Sequence, residues 1–139
     1  NIHSIGMDWV PVDIDEAGMS LSDLEEKVAR HPQNCIVHID PTDQAPTGAV
    51  MTGKRRIEIM KLIRKYNVPV VEIDYFTNMW HERRPLFPLK STDNTGNIIY
   101  TGGPIKYHPF DFQVTWFVAD PYIIDHVSNV LMQAGIKTN

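Results

Sequence analysis

Apolar positions along the chain alternate between two spacings, and the alternation sets out strands and helices in turn. Trp9-Val10-Pro11-Val12 is predicted as a short strand leading into an acidic turn, Asp13 to Gly18. Leu21, Leu24 and Val28 recur at helical spacing, so a helix is predicted from a cap at Ser20 or Ser22 to about Arg30, with Pro32 ending it. Cys35 to Ile39 is dense in β-branched residues and bounded by Asp40-Pro41, the pattern of a strand. Thr52 precedes a second helix, about Gly53 to Tyr66. Its apolar face is read as Ile57, Met60, Leu62 and Ile63, and its wet face as Lys54, Arg55, Arg56, Lys61, Arg64 and Lys65.

Val68 to Ile73 is continuously apolar apart from Pro69 and Glu72, as expected of a strand buried on both faces of a parallel sheet. Asp93 to Asn97 is turn chemistry and leads into a strand, Ile98 to Thr101, followed by Gly102-Gly103-Pro104. Val114 to Ala119 is the last predicted strand, and Pro121 is placed to open a final helix through Met132. Strands and helices succeeding one another at this spacing predict an α/β class: a mostly parallel sheet with helices on its faces, in three layers.

Composition bounds this picture. The chain has 139 residues and 42% hydrophobic content, enough for one core. Thirteen Lys plus Arg against 17 Asp plus Glu give a formal charge of -4, which argues against a surface built mainly to hold nucleic acid. Cys35 is the single cysteine, so no internal disulfide can form, which fits a reducing compartment and a cytoplasmic location. No stretch of sequence is long and apolar enough to cross a membrane. The chain opens on Asn1 rather than Met, which is read as a cut from a longer parent, residues 1–139 being one fragment of a larger domain.

Candidate chemistry is sparse. The six histidines, His3, His31, His38, His81, His108 and His126, fall at no metal-ligand spacing, and on a strand Cys35 and His38 point to opposite faces, so no metal site is expected. Lys54-Arg55-Arg56 and Arg83-Arg84 are read as solvated faces, with a subunit or ligand contact as the alternative. Glu72, Asp74 and Tyr75 end a buried strand, where open α/β sheets place their ligands. Glu72 and Asp74 share a face by alternation, so a pair of carboxylates for acid–base work and a capping role are both open. Lys106, after Gly102-Gly103-Pro104, is a Schiff-base candidate if its amine is desolvated, and otherwise a solvated loop lysine.

Five stretches in order carry a family resemblance. They are Asp13-Ile14-Asp15-Glu16-Ala17-Gly18-Met19, Pro41-Thr42-Asp43-Gln44-Ala45-Pro46-Thr47-Gly48, Met51 through Arg55-Arg56, Val71-Glu72-Ile73-Asp74-Tyr75, and Ile99-Tyr100-Thr101-Gly102-Gly103-Pro104-Ile105-Lys106. With them the chain resembles part of the large domain of fold-type I aminotransferases, whose cofactor is pyridoxal phosphate (PLP). It most resembles the aminotransferase-like domain of GntR/MocR-type transcriptional regulators, whose compact spacing to the tyrosine it shares. The resemblance implies that Lys106 is the Schiff-base lysine, and the catalytic residue if PLP binds, and that Tyr75 donates to the ring oxygen.

The same resemblance shows departures. The acid that pairs with the protonated pyridine nitrogen, making the ring an electron sink, falls on Ile73. Bringing Asp74 into use would need a one-residue shift, which on a strand reverses the side chain's face. The hydroxyl residues of the phosphate cup fall on Gly103 and Ile105, its arginine on Gln113, and the residue that contacts the ring ahead of Pro-Thr-Gly on Ala45. PLP is therefore expected from the family but not expected to be held here. The cofactor-binding set, were PLP held, would be Tyr75, Lys106, Asp74 and Gln113; the expected function is a catalytically silent effector-sensing or oligomerisation domain of a GntR/MocR-type regulator, with a small-molecule effector met by Tyr75, Lys106 and Gln113. Such a regulator would be a homodimer and would meet DNA through a domain outside this chain. A PLP-dependent aminotransferase or related lyase is the enzymatic alternative, and a purely structural dimerisation domain the third.

Overall fold

Helix caps set the frame. The structure, a computed structural model, describes residues 2–75, 86–103 and 115–136. Helix α1 (Leu21–Arg30) starts at Ser20, whose Oγ accepts the Asp23 N–H at 3.5 Å. Helix α2 (Gly53–Tyr66) starts at Thr52, whose Oγ1 accepts the Arg55 N–H at 3.2 Å. It ends at Asn67, which takes the left-handed conformation (φ 52°) and returns its backbone N–H to the Ile63 carbonyl. The Asn67 side chain also accepts from Asn97 Nδ2 at 2.9 Å, linking the end of α2 to the start of a strand. Helix α3 (Pro121–Gln133) has Pro121 in its first turn, and Asp120 accepts the Tyr122 N–H at 3.0 Å.

Strands β1 (Ile14–Asp15) and β2 (Gly18–Met19) form a small antiparallel hairpin. The main sheet has β3 (Val37–Ile39), β4 (Val70–Asp74), β5 (Ile98–Gly102) and β6 (Trp116–Val118) in that spatial order. β3 and β4 pair parallel, as do β4 and β5, while β6 returns antiparallel along β5. The sheet is thus mixed, with its parallel part where alternating strands and helices placed it.

Trp9 to Val12 is not a strand. Its neighbours supply the reason: Lys27 Nζ bonds the Pro11 carbonyl, and Asp23 Oδ2 accepts the Asp13 N–H at 2.7 Å, so α1 side chains claim the backbone groups a strand would use. Extended pairing begins only past this clamp, in the β1–β2 hairpin, where Gly18 takes φ 95°.

The core lies between α1, α2 and one face of the sheet. Leu24 and Val28 from α1 and Ile59, Met60 and Ile63 from α2 meet Val37, Ile39, Val70 and Ile98. β4 alternates accordingly: Val70, Glu72 and Asp74 are buried, and Val71 and Ile73 on the other face are partly buried. The expectation of a strand buried on both faces thus holds fully for one face and partly for the other. The helical stripe of α2 also shifts: Ile59 is fully buried while Ile57 is 60% exposed, and Arg56, expected on the wet face, is 6% exposed. Among the described residues, no helix is long and apolar enough to cross a membrane.

The shift of stripe gives a clear contrast. Ile63→Ala should lower stability by about 2–5 kcal/mol through the cavity it leaves. Ile57→Ala should change it by no more than about 0.5 kcal/mol. Urea unfolding midpoints of the two variants measure the difference; equal midpoints would place Ile57 in the core after all.

Candidate functional site

Because β3, β4 and β5 run parallel, their carboxyl ends come together at one edge of the sheet. The loop after β3 is shaped by Arg56. Its Nη2 donates to the Pro41 carbonyl at 2.8 Å and to Thr42 Oγ1 at 3.0 Å, its Nε donates to the Met51 carbonyl at 3.2 Å, and its Nη1 donates to the Phe87 carbonyl at 3.0 Å. One buried guanidinium therefore ties both ends of the 41–51 loop to the segment that precedes β5. Burial lowers the Arg56 pKa, while the carboxylates of Glu72 and Asp74 favour its charge. The basic cluster thus divides: Arg56 is internal, and Arg55 pairs with Asp15 at 2.9 Å across to the hairpin. The reading of Lys54-Arg55-Arg56 as one solvated face is corrected, and the spacing of Arg56 to Ile59, Met60 and Ile63, that of one helix face, was the signal for it.

Glu72 and Asp74 do share a face, but they do different work. Glu72 is fully buried and accepts the N–H groups of Leu89 at 2.7 Å and Lys90 at 2.9 Å, capping the 3-10 turn Leu89–Thr92. Burial pushes its pKa up, and those two N–H groups with Arg56 pull it back. Asp74 is 5% exposed and accepts the Tyr100 hydroxyl at 2.9 Å, across from β5. Burial and then this bond raise the Tyr100 pKa, so its phenol stays the donor. A capping role accounts for Glu72, and Asp74 anchors a tyrosine; the sequence alone pointed to neither partner.

Two further residues at this edge were given no role by the sequence. Asp40 follows β3, and burial raises its pKa to about 6, while the backbone N–H groups of Thr42 and Ala45 work against the rise and Asp74 and Asp43 add to it. Its Oδ1 is buried and lacks a hydrogen-bond partner. On β5, Gly102 leaves room for the Trp116 indole: a Cβ there would sit 2.8 Å from Trp116 Nε1 and 3.2 Å from the Asp74 carbonyl oxygen, so any side chain at this position is obstructed.

Of the residues expected at the cofactor, Tyr75 lies just past β4 and is 36% exposed, and Asp74 is placed as above. Lys106, Ile105 and Gln113 lie outside the described residues. Ile73 lies on the opposite face from Asp74 and pairs in register with Thr101, whose hydroxyl donates to the Glu72 carbonyl at 3.2 Å. At the position to which the resemblance assigns the pyridinium acid, β4 thus offers a hydrocarbon, and the adjoining Asp74 carboxylate is on the other face and engaged by Tyr100. The described residues do not fit PLP in its usual protonated form.

No protein-family model matches the chain. Curated proteins and solved structures do. The chain is 33% identical over 98 residues to the HTH-type transcriptional regulator YisV of Bacillus subtilis, covering 70% of this chain and 20% of that protein. It is 29% identical over 136 residues to aromatic-amino-acid aminotransferase 1 of Thermococcus litoralis, covering 95% of this chain and 33% of that protein. Its fold matches the crystal structure of Pyrococcus horikoshii kynurenine aminotransferase with a TM-score of 0.85 and 29% identity, over 95% of this chain and 34% of that one. The chain spans roughly a fifth to a third of the length of these relatives. Its homologues are regulators of the GntR/MocR type and aminotransferases alike, and its fold is a part of the fold-type I aminotransferase large domain.

Two substitutions probe this edge. Arg56→Met should destabilise the chain by about 3–5 kcal/mol, since the Met51 and Phe87 carbonyls and the Thr42 hydroxyl lose its N–H groups and the buried acids lose its charge. Arg56→Lys, with a point charge in place of a fork, should recover only part of that loss in the same unfolding assay. Asp40 gives a pH signature. A carboxyl whose pKa rises on folding stabilises the fold below its unfolded value near 3.8, and that contribution disappears as pH climbs through about 6. Asp40→Asn should therefore raise Tm at pH 7 to 8 and matter less near pH 4; a uniform effect across that range would rule out the burial argument.

Proposed function

We propose that this chain, a part of a fold-type I aminotransferase-like large domain, serves a GntR/MocR-type transcriptional regulator as its effector-sensing or oligomerisation domain and does not itself transaminate. The observation that carries this reading is the β4 end: Ile73 stands where the electron-sink acid is needed, and Asp74 is turned to the other face and bonded to Tyr100. A ring left without a proton partner cannot stabilise a carbanion at the amino-acid α-carbon, so the same sheet edge is better suited to recognition than to chemistry. The similarity to YisV supports the regulatory setting, in which DNA would be met by a domain outside this chain.

For sensing, the effector must bind one arrangement of the domain better than another, because a ligand shifts an equilibrium only by its differential affinity. The loops at the sheet edge supply the material: the 41–51 loop is held by Arg56 and the 3-10 turn by Glu72, so a ligand seated between them would press on both anchors. Tyr75, Lys106 and Gln113 are the residues proposed to face it, in a homodimer located in the cytoplasm.

An enzymatic reading is favoured by one observation, the match of the aromatic-amino-acid aminotransferase to 95% of this chain. In that case Lys106 and Tyr75 would hold PLP, Lys106 as Schiff-base lysine and general base and Tyr75 as donor to the ring oxygen, and the cofactor would supply the electron sink. Absorbance titration of the full-length protein with PLP, then borohydride reduction and peptide mass mapping, separates the two readings. The expected result is no adduct at Lys106 and a spectrum unaltered by Lys106→Ala. An adduct confined to Lys106, with amino-group transfer to a keto acid, would put the enzyme in front.

A further inference from the structure

Two segments distant in sequence meet at Arg56. Its Nη2 donates to the Pro41 carbonyl and the Thr42 hydroxyl, and its Nε to the Met51 carbonyl, so it holds the 41–51 loop at both ends. Its Nη1 donates to the Phe87 carbonyl, just ahead of the 3-10 turn Leu89–Thr92. That turn is held from β4 as well, where the Glu72 carboxylate accepts the N–H groups of Leu89 and Lys90. Other backbone bonds of the loop run within it: Met51 N–H to the Pro41 carbonyl, Gln44 N–H to the Ala49 carbonyl and Gly48 N–H to the Gln44 carbonyl.

Both anchors are buried ions. Arg56 is 6% exposed and Glu72 fully buried. Burial works against the charge of each, and each favours the charged form of the other. Neither sits well in the interior once its counterpart or its hydrogen-bond partners are gone. Lifting the turn strips Glu72 of two donors and Arg56 of the Phe87 carbonyl, and brings water to both ions. The bonds from Arg56 to Pro41, Thr42 and Met51 must then compete with that water, so the loop loses its anchor too. Lifting the loop first has the converse effect on the turn.

We propose that the 41–51 loop and the 86–92 segment are a single opening unit, latched by the opposite charges of Arg56 and Glu72, so that release of either releases both. A molecule that binds one segment then changes the freedom of the other without touching it. The inference does not depend on what occupies the sheet edge, and it applies to a sensor and to an enzyme alike.

Hydrogen exchange of the full-length protein, resolved to single amides, tests the latch from both sides. Glu72→Gln removes the charge and keeps an acceptor. It should speed exchange at Gln44, Gly48 and Met51 by about tenfold, together with Leu89 and Lys90, while Leu24 and Val28 in α1 keep their rates. Thr42→Val removes one acceptor of Arg56 within the loop, and should speed exchange at Leu89 and Lys90 about threefold or more. Acceleration confined to Leu89 and Lys90 in Glu72→Gln, or confined to the loop in Thr42→Val, means that the segments open independently and overturns the proposal. A rise of equal size in α1 is global unfolding and overturns it as well. If Glu72→Gln does not fold, Thr42→Val decides: acceleration that reaches Leu89 and Lys90 supports a single unit, and acceleration limited to 41–51 removes it.

Discussion

The guanidinium of Arg56 is the joint on which the sheet edge depends. Three stretches, the entry to the 41–51 loop, the approach to α2 and the segment before β5, each contribute a carbonyl to it, that of Pro41 being shared with the Met51 backbone N–H. A buried loop carbonyl needs a donor, and one planar fork with several N–H groups can serve several at once where a lysine or a hydroxyl could not. Glu72 answers from the other side with the opposite requirement, taking two backbone N–H groups at the 3-10 turn. The pair of ions is therefore less a salt bridge than two complementary backbone connectors whose charges steady one another.

How much of this was written locally in the chain follows the same division. The three helices and the strands β3 to β5 were legible because caps, helical stripes and β-branched runs act over a few neighbouring residues; α2 in particular runs between Thr52 and Asn67 as its pattern requires. The β1–β2 hairpin in place of a strand at 9–12 was not, because Lys27 and Asp23 on α1 decide it from outside the segment. Arg56 was misread from its charge although its spacing placed it on the buried stripe. At the site, strand alternation placed Asp74 and Ile73 on opposite faces, which the structure keeps. The partner of Asp74 was out of reach: Tyr100 is 26 residues away and is delivered by sheet register alone.

That register also explains why neighbouring acids do not substitute for one another. Along β4 a shift of one position is a change of face, so an acid at 74 is invisible to whatever meets 73. Across the sheet the rule is different: cross-strand partners lie level, as Ile39 does with Glu72, without belonging to one strand. The chemistry available at this edge is set by which strand bears an acid as much as by which position does.

Parallel pairing has a consequence for how the chain reaches its native state. Val37 meets Val70, and Val70 meets Ile98, so each contact of the parallel part of the sheet joins residues some thirty positions apart. None of these contacts can be rewarded before a long loop has closed, in contrast to a hairpin-built sheet, where turns bring partners together early. Helix α2, with a cap at either end and a span between β3 and β4, is the element able to shorten that search. Its formation would bring the two strands to a single helix length of each other, which makes the speed of refolding a property of Thr52 and Asn67 as much as of the sheet itself.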